Sequence, residues 1–526
     1  MTDVLLGIDV GTYSSKGVLC RPDGTVVAVA QRSHGLSIPQ PGYAEHDADR
    51  VWWADVCLLG KELMSSVPKH TRVAAAAFSA IGPCLLPLDS KGQPLRPAIL
   101  YGVDTRASKQ ILELEARYGR EALMTLGGMR LTSQAIGPKI LWLRQNEPEV
   151  YVAAASFVTA STYLIFRLTG ELIIDRHTAS HFNPLIDIGT LKWDERFSEE
   201  ITDLERLPAL RWSDEIVGTI TDRAAAETGI PRGTPVAAGT VDALAEGISV
   251  GAVGVGDLML MYGSTAFLIL ITDAVRRHPD LWSTAGAFAG QYALAAGMAT
   301  SGAATTWFRD QLARELTDCQ QARGRDAYEV LAEAAAASPP GARGLLVLPY
   351  LSGERTPIHD PDARGIIAGI SLAHTRGDLY RALLEGIGFA IAHNIDAMRA
   401  SDVPIERIIA VGGGTANRLW LQIVSDVAGC TQLLPRRTIG ACLGDAFIAG
   451  LAVGEIDCTD ALERGWVEYS EEIVPEKAHT DLYRSMRPLF HDLYASTSET
   501  VHSLSALARE SLESSTQPAP LRRVES

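Results

Sequence analysis

The chain has 526 residues, 47% hydrophobic and 21% charged, an ordinary globular balance in a chain too long for one core, so two or more large domains are expected. Its formal net charge of −16 argues against a nucleic-acid or anionic-membrane partner and fits a soluble enzyme acting on small molecules. Seven scattered cysteines without a CxxC pair suggest neither a disulfide framework nor a zinc site; with no signal-like N-terminus and no apolar run of about 20 residues, a reducing, cytoplasmic compartment is expected.

The first elements are β-rich. "VLLGIDV" (4–10), "SKGVLC" (15–20) and "TVVAVAQR" (25–32) are short apolar runs separated by "GTYS" and by "RPDG", a hairpin signal. Asp9, Gly11, Thr12, Ser14, Ser15 and Lys16 crowd the first turn. That turn is either a hairpin with a polar tip or a phosphate clamp. Helical stretches follow at 49–67 and 105–119, the second opening on a threonine and closing on a glycine. The tryptophans of "DRVWW" read as core rather than as a stacking platform.

In "GTPVAAGTVDALAEGISVGAV" (233–253), Asp242 stands between an apolar strand and a small-residue segment, which leaves room for a ligand. Capping the next helix is the competing role for Asp242. "DLMLMYGSTAFLILIT" (257–272) repeats the strand–turn–strand pattern seen near residue 10, and "YALAAGMAT" (292–300) adds another strand. In "IERIIAVGGGTANRLWLQIVSDVAG" (405–429) a buried strand breaks at three glycines, and a helix is expected from Thr415 or Ala416. Glycines and a helix N-terminus suit a nucleotide. A dinucleotide fingerprint would need glycine at 417, where Asn417 stands; a glycine-rich turn without a ligand is the other reading. Residues 501–514 read as helix-compatible and the last dozen as unordered.

Together these segments resemble the FGGY family of carbohydrate kinases, within the actin-like ATPase superfamily. "GIDVGTYSSKG" (7–17) is similar to the family's first phosphate hairpin, "GSTAF" (263–267) to the second, "VGGGTAN" (411–417) to the adenosine segment and "GTVDALAEG" (239–247) to the catalytic-aspartate segment. "GIIAGISLAHTRGDLYRALLEG" (365–386) follows the C-terminal signature, with Gly369, Asp378, Ala382 and Glu385 in place. "PYLSGERTPIHDPDARG" (349–365) resembles the xylulokinase branch. An earlier signature is met in part: Lys139 and Trp142 fit, Ile136 does not.

The resemblance implies an α/β protein with two hinged RNase H-like domains flanking a catalytic cleft: 1–245 with the sugar site and first hairpin, 246–490 binding nucleotide, and a helical or unordered tail at 491–526. It implies ATP and Mg²⁺ as cofactors, a small sugar as substrate, no nucleic-acid or membrane partner, and a homodimer as the assembly to test. Gly11, Thr12, Ser14 and Lys16 would cradle phosphates, Gly263 and Ser264 would grip them from the other domain, and Asp9 would hold the metal through water. Gly302 and Thr306 would line the nucleotide pocket, and Gly413 and Asn417 would hold adenosine. Asp242 would contact the substrate hydroxyl and act as general base with an ordinary carboxylate pKa of about 4.

The sugar side departs from the branch. The family's Met-His contact is replaced by Gly82 and Pro83, and "LYGVDTRA" (100–107) is one residue longer than the related stretch. Asp104 is expected to bind sugar hydroxyls, with helix capping as a compatible role, and Arg106 to line the same site. Another ketose, a polyol such as erythritol or a linear hydroxylated signal molecule therefore stays open beside xylulose. A non-catalytic sugar sensor is the reading from another class; it would be expected to have lost Asp9 or Asp242, and both are present.

Overall fold

The computed structural model describes residues 3–516 and is organised around two large sheets, one from each half of the chain. In the first, β1 (Asp3–Val10), β2 (Ser14–Cys20) and β3 (Val26–Ser33) form an antiparallel meander, and β4 (Arg72–Ala80) runs parallel to β1. With β5 (Ile216–Thr219) and β6 (Pro235–Ala237) the order is β5-β6-β4-β1-β2-β3. The second sheet holds β7 (Asp257–Tyr262), β8 (Ala266–Thr272), β9 (Trp282–Ala285), β10 (Tyr292–Met298), β11 (Arg407–Val411), β12 (Gln432–Pro435) and β13 (Tyr469–Ile473), in the order β9-β10-β8-β7-β11-β12-β13.

β1 and β7 occupy equivalent places. Each turns through a tight hairpin into an antiparallel neighbour, β2 or β8, and each has a parallel strand, β4 or β11, on its other side. The repeat read near residues 10 and 263 is thus one topological position used twice, and the two-domain α/β architecture is the one expected. β4, "RVAAAAFSA", is buried from its second residue on, as a central strand covered on both faces must be. On one side lies α1 (Ala54–Ser65), which continues a π-helical turn over 48–53 that buries Trp52 and Trp53 in the core.

Two helices tie the halves together. α2 (Asp242–Ser249) leaves the first sheet after β6; α6 (Ala441–Ala452) follows β12 of the second sheet yet packs on β1 and β4 of the first. Further helices of the second half are α3 (Gly302–Leu312), α4 (Arg376–Arg399), α5 (Arg418–Ala428) and α7 (Lys477–Thr516). Small residues make the α2–α6–β1 contact possible: a Cβ on Gly7 would lie 1.9 Å from the Cys442 carbonyl oxygen, and one on Gly444 2.0 Å from that of Ala245. Helix α7 runs unbroken through residue 490, so a boundary there falls inside a helix. The expectation for the final ten residues lies outside the described ones.

Candidate active site

The first hairpin closes with the Gly11 amide donating to the Ser14 carbonyl at 3.0 Å. Asp9 and Lys16 are register partners on β1 and β2. The hydroxyls divide their work. Ser15 is buried and donates to Asp55 at 2.7 Å, whereas Thr12 Oγ1 lies 3.1 Å from the Tyr101 hydroxyl. Asp55 Oδ2 is also 2.8 Å from His34 Nδ1, and His34 Nε2 is 3.1 Å from the Gly11 carbonyl oxygen, so the turn is braced from beneath. Ser14 stays half-buried at the start of β2, next to the tip amides.

Carboxylates gather at the end of β1. Asp9 feels Asp242 and Glu246 as like charges, with Lys16 opposing them; poor solvation, then these neighbours, hold its carboxyl well above the usual range. Asp242 is the first residue of α2, and its Oδ1 accepts from the Ala243 amide at 2.8 Å. Burial pushes Asp242 up to about 7, with Glu246 adding to the rise and the Ala243 amide opposing it. The ordinary pKa expected from sequence gives way to a raised one, because burial in the folded chain, which sequence does not display, disfavours the charge. Glu246 is one helical turn further along α2, and Lys16 Nζ reaches the Ile439 carbonyl oxygen at 3.3 Å, just before α6. Sequence reasoning passed over Ser79, Glu246 and Asp445. Glu246 lay inside the motif quoted for Asp242; a lone aspartate in the small-residue run "GACLGDAFIAG" (440–450) was the available signal for Asp445.

In the second half, Gly263, Ser264 and Gly302 come together. The amides of Ser301 and Ala303 donate to the Ser264 carbonyl, and that of Gly302 donates to Gly263 at 2.9 Å. A Cβ on Gly302 would stand 2.6 Å from the Gly263 oxygen, so the hairpin sits on the N-terminus of α3. Thr306, one turn along, is exposed and 2.9 Å from the Tyr328 hydroxyl. The glycine run after β11 lies beside the same edge, because Met261 and Val411 are register partners. Gly412 has φ of +95°, and a Cβ there would meet the Tyr262 carbonyl oxygen at 2.7 Å; around Gly413 a Cβ would meet nothing within 4 Å. The following helix begins at Arg418, not at Thr415 or Ala416: residues 413–416 form a 3-10 turn, and the Asn417 side chain caps α5 by accepting from the Trp420 amide at 3.1 Å.

Asp104, expected to bind sugar hydroxyls, is fully occupied by protein partners. Its two oxygens accept from the Ala44 amide at 2.7 Å and from the Arg106 amide, Nε and Nη2, with Nη2 at 2.7 Å. Neither side chain is exposed, and Arg106 also pairs with Glu45 at 2.9 Å and lies over the Tyr43 ring. This is a structural clamp, and the chain wound round it delays the helix expected from Thr105 until Ser108. Asp104→Ala is accordingly expected to destabilise the protein by about 3–5 kcal/mol, because it leaves a buried guanidinium short of its partner. A urea melt measures this; an unchanged midpoint with a raised sugar KM would restore the sugar contact. Tyr101 lies over Gly82, where a Cβ would stand 3.8 Å from the tyrosine Cγ. From the second half, the positive charge of Arg355 is felt by Tyr101. Lys139 is buried, donates to the Leu100 and Ser133 carbonyls at 2.7 Å each, and is lowered by burial to about 8.

Residues 4–248 match the model of the N-terminal domain of the FGGY family of carbohydrate kinases, and residues 258–453 match that of its C-terminal domain. The crystal structure of a xylulose kinase from Rhodospirillum rubrum is similar with a TM-score of 0.88 and 31% identity, covering 95% of this chain and 100% of that one. Glycerol kinase 2 of Streptomyces avermitilis is 32% identical over 476 residues, 87% of this chain and 90% of that protein. A gluconokinase of Bacillus subtilis is 27% identical over 503 residues, 94% of this chain and 96% of that protein.

Proposed function

The chain belongs to the FGGY family of carbohydrate kinases, and we propose that this sugar kinase transfers the γ-phosphate of ATP to a primary hydroxyl of a small sugar, a xylulose-like ketopentose foremost. The observation that carries the reading is Asp242, held at the junction of the two halves beside the first hairpin with a pKa of about 7. As the substrate oxygen attacks the γ-phosphorus, its proton passes to the Asp242 carboxylate, and the bond to the ADP oxygen breaks. The amides of the Gly11 turn, with Thr12, Ser14 and Lys16, take the phosphates from one side; Gly263 and Ser264 take them from the other. Gly302, Thr306, Gly413 and Asn417 line the nucleotide side.

Magnesium fits the residues present. Asp9, Asp242 and Glu246 put three carboxylates against one lysine, an excess of negative charge that a cation would balance. Among the described residues no group of three or more His, Cys, Asp or Glu side chains forms a metal cage, which suits an ion held by one carboxylate together with phosphate oxygens and water. Asp9 would hold it, and when bound it would neutralise charge on the transferring phosphate.

The ketopentose reading draws on the xylulose kinase neighbour and on the "GERTP" segment. A second reading has its own observation: Arg355, whose positive charge is felt by Tyr101, forms no ion pair with a carboxylate among the described residues, which suits a polyhydroxy acid such as gluconate. ADP release over pentuloses, hexuloses, polyols, glycerol and gluconate tests both. The highest kcat/KM is expected with a ketopentose; a gluconate rate tenfold above every ketose would overturn that choice in favour of the acid.

A further inference from the structure

Asp445 sits in α6, the helix that joins the two halves, and is fully buried. Its Oδ2 lies 2.7 Å from Ser79 Oγ, and the same Oγ lies 3.0 Å from Asp9 Oδ1. A serine hydroxyl carries one hydrogen, so it donates to one carboxyl and accepts from the other, which must itself be protonated. Asp9 is half-buried and stands opposite Lys16 on the neighbouring strand. Asp445 forms no ion pair, and Ser79 is its one side-chain partner among the described residues. With the proton on Asp445 the bonds run Asp445 to Ser79 to Asp9, the arrangement that leaves Asp9 as the ionised carboxylate a cation needs. The backbone sets the three members side by side. Ser79 and Asp9 are register partners on β4 and β1, and a Cβ on Gly7 would stand 3.0 Å from the Asp445 Cβ.

We propose that Asp445 is a positioning residue: through Ser79 it fixes the Asp9 carboxylate in the orientation that holds the metal, and so ties the metal site to the helix joining the two halves. The inference rests on the reading that Asp9 holds the cation. It concerns orientation and not charge, since an uncharged donor at 445 serves equally well.

The test measures Mn²⁺ binding in the presence of ADP by electron paramagnetic resonance, and the Mg²⁺ concentration giving half-maximal rate. Asp445→Asn should keep both within about threefold of the parent, because its amide donates to Ser79 as the acid does. Asp445→Ala should weaken Mn²⁺ binding and raise the Mg²⁺ requirement by about tenfold, with sugar KM moving less than about twofold. Ser79→Ala should reproduce that loss, and it carries the test if Asp445→Ala does not fold. The proposal fails if Asn at 445 is as damaging as Ala, or if neither alanine variant changes Mn²⁺ binding. Asp9→Ala separates the two readings. Intact Mn²⁺ binding in that variant would sink the metal assignment itself; binding lost there but unchanged in both alanine variants would sink only the relay.

Discussion

Asp242→Asn is expected to fold, to bind ATP and sugar nearly as the parent does, and to lose roughly 10²-fold or more in kcat. Asparagine keeps the size of the side chain and the oxygen that accepts from the Ala243 amide at 2.8 Å. It removes the one capacity proposed for the residue, taking a proton in the transition state. The hydroxyl still docks while its attack slows, so kcat falls and KM holds. If Asp242 served only the start of α2, asparagine would do as well and the change would be nearly silent. The pH dependence supplies an independent check. Because burial raises Asp242 to about 7, kcat/KM of the parent should drop as pH falls through 7, the direction in which a base becomes protonated and useless. An ordinary carboxylate would leave the profile level down to about pH 5. A level profile, or a folded Asp242→Asn enzyme with near-native kcat, would remove the assignment.

What the sequence displayed was local. Each hairpin proposed to hold phosphate is a few consecutive residues, two apolar runs around glycine and hydroxyls, and the fold sets those residues in equivalent turns of two like sheets. Asp242 was visible for the same reason, as a carboxylate at the junction between strand and small-residue helix. What stayed hidden depends on chain segments far apart. Asp104 and Arg106 look like a polar pair open to a ligand until Ala44 and Glu45, some sixty positions upstream, are seen to close on them. The Asp445–Ser79 bond joins residues 366 positions apart and has no local signature. The pKa of Asp242 was misjudged because burial belongs to the folded cleft. Asn417 differs in kind: its capping role is local, but the glycine run before it admits more than one helix start, and the 3-10 turn at 413–416 decides the matter.

Asp9→Ala should cut kcat by roughly 10²–10³-fold or more while leaving the fold intact. The fold should survive for an electrostatic reason. Asp9 stands among like charges in a poorly solvated place, and these hold its carboxyl well above the ordinary range, so the native state is strained by that charge. Alanine relieves the repulsion; against that it loses the 3.0 Å bond from Ser79, a contribution of about 1 kcal/mol. The two effects oppose each other, and the melting temperature should stay within a few degrees of the parent or rise. Activity has no such offset. Without the carboxylate, Lys16 is left to face the transferring phosphate without the metal ligand proposed for the end of β1. Added Mg²⁺ should therefore fail to rescue the rate, whereas a fault in nucleotide binding alone would be overcome by raising ATP. Rate against Mg²⁺ and ATP, measured together with a thermal melt, distinguishes these outcomes. A folded Asp9→Ala enzyme with the parent's rate and the parent's Mg²⁺ dependence would overturn the role given to Asp9.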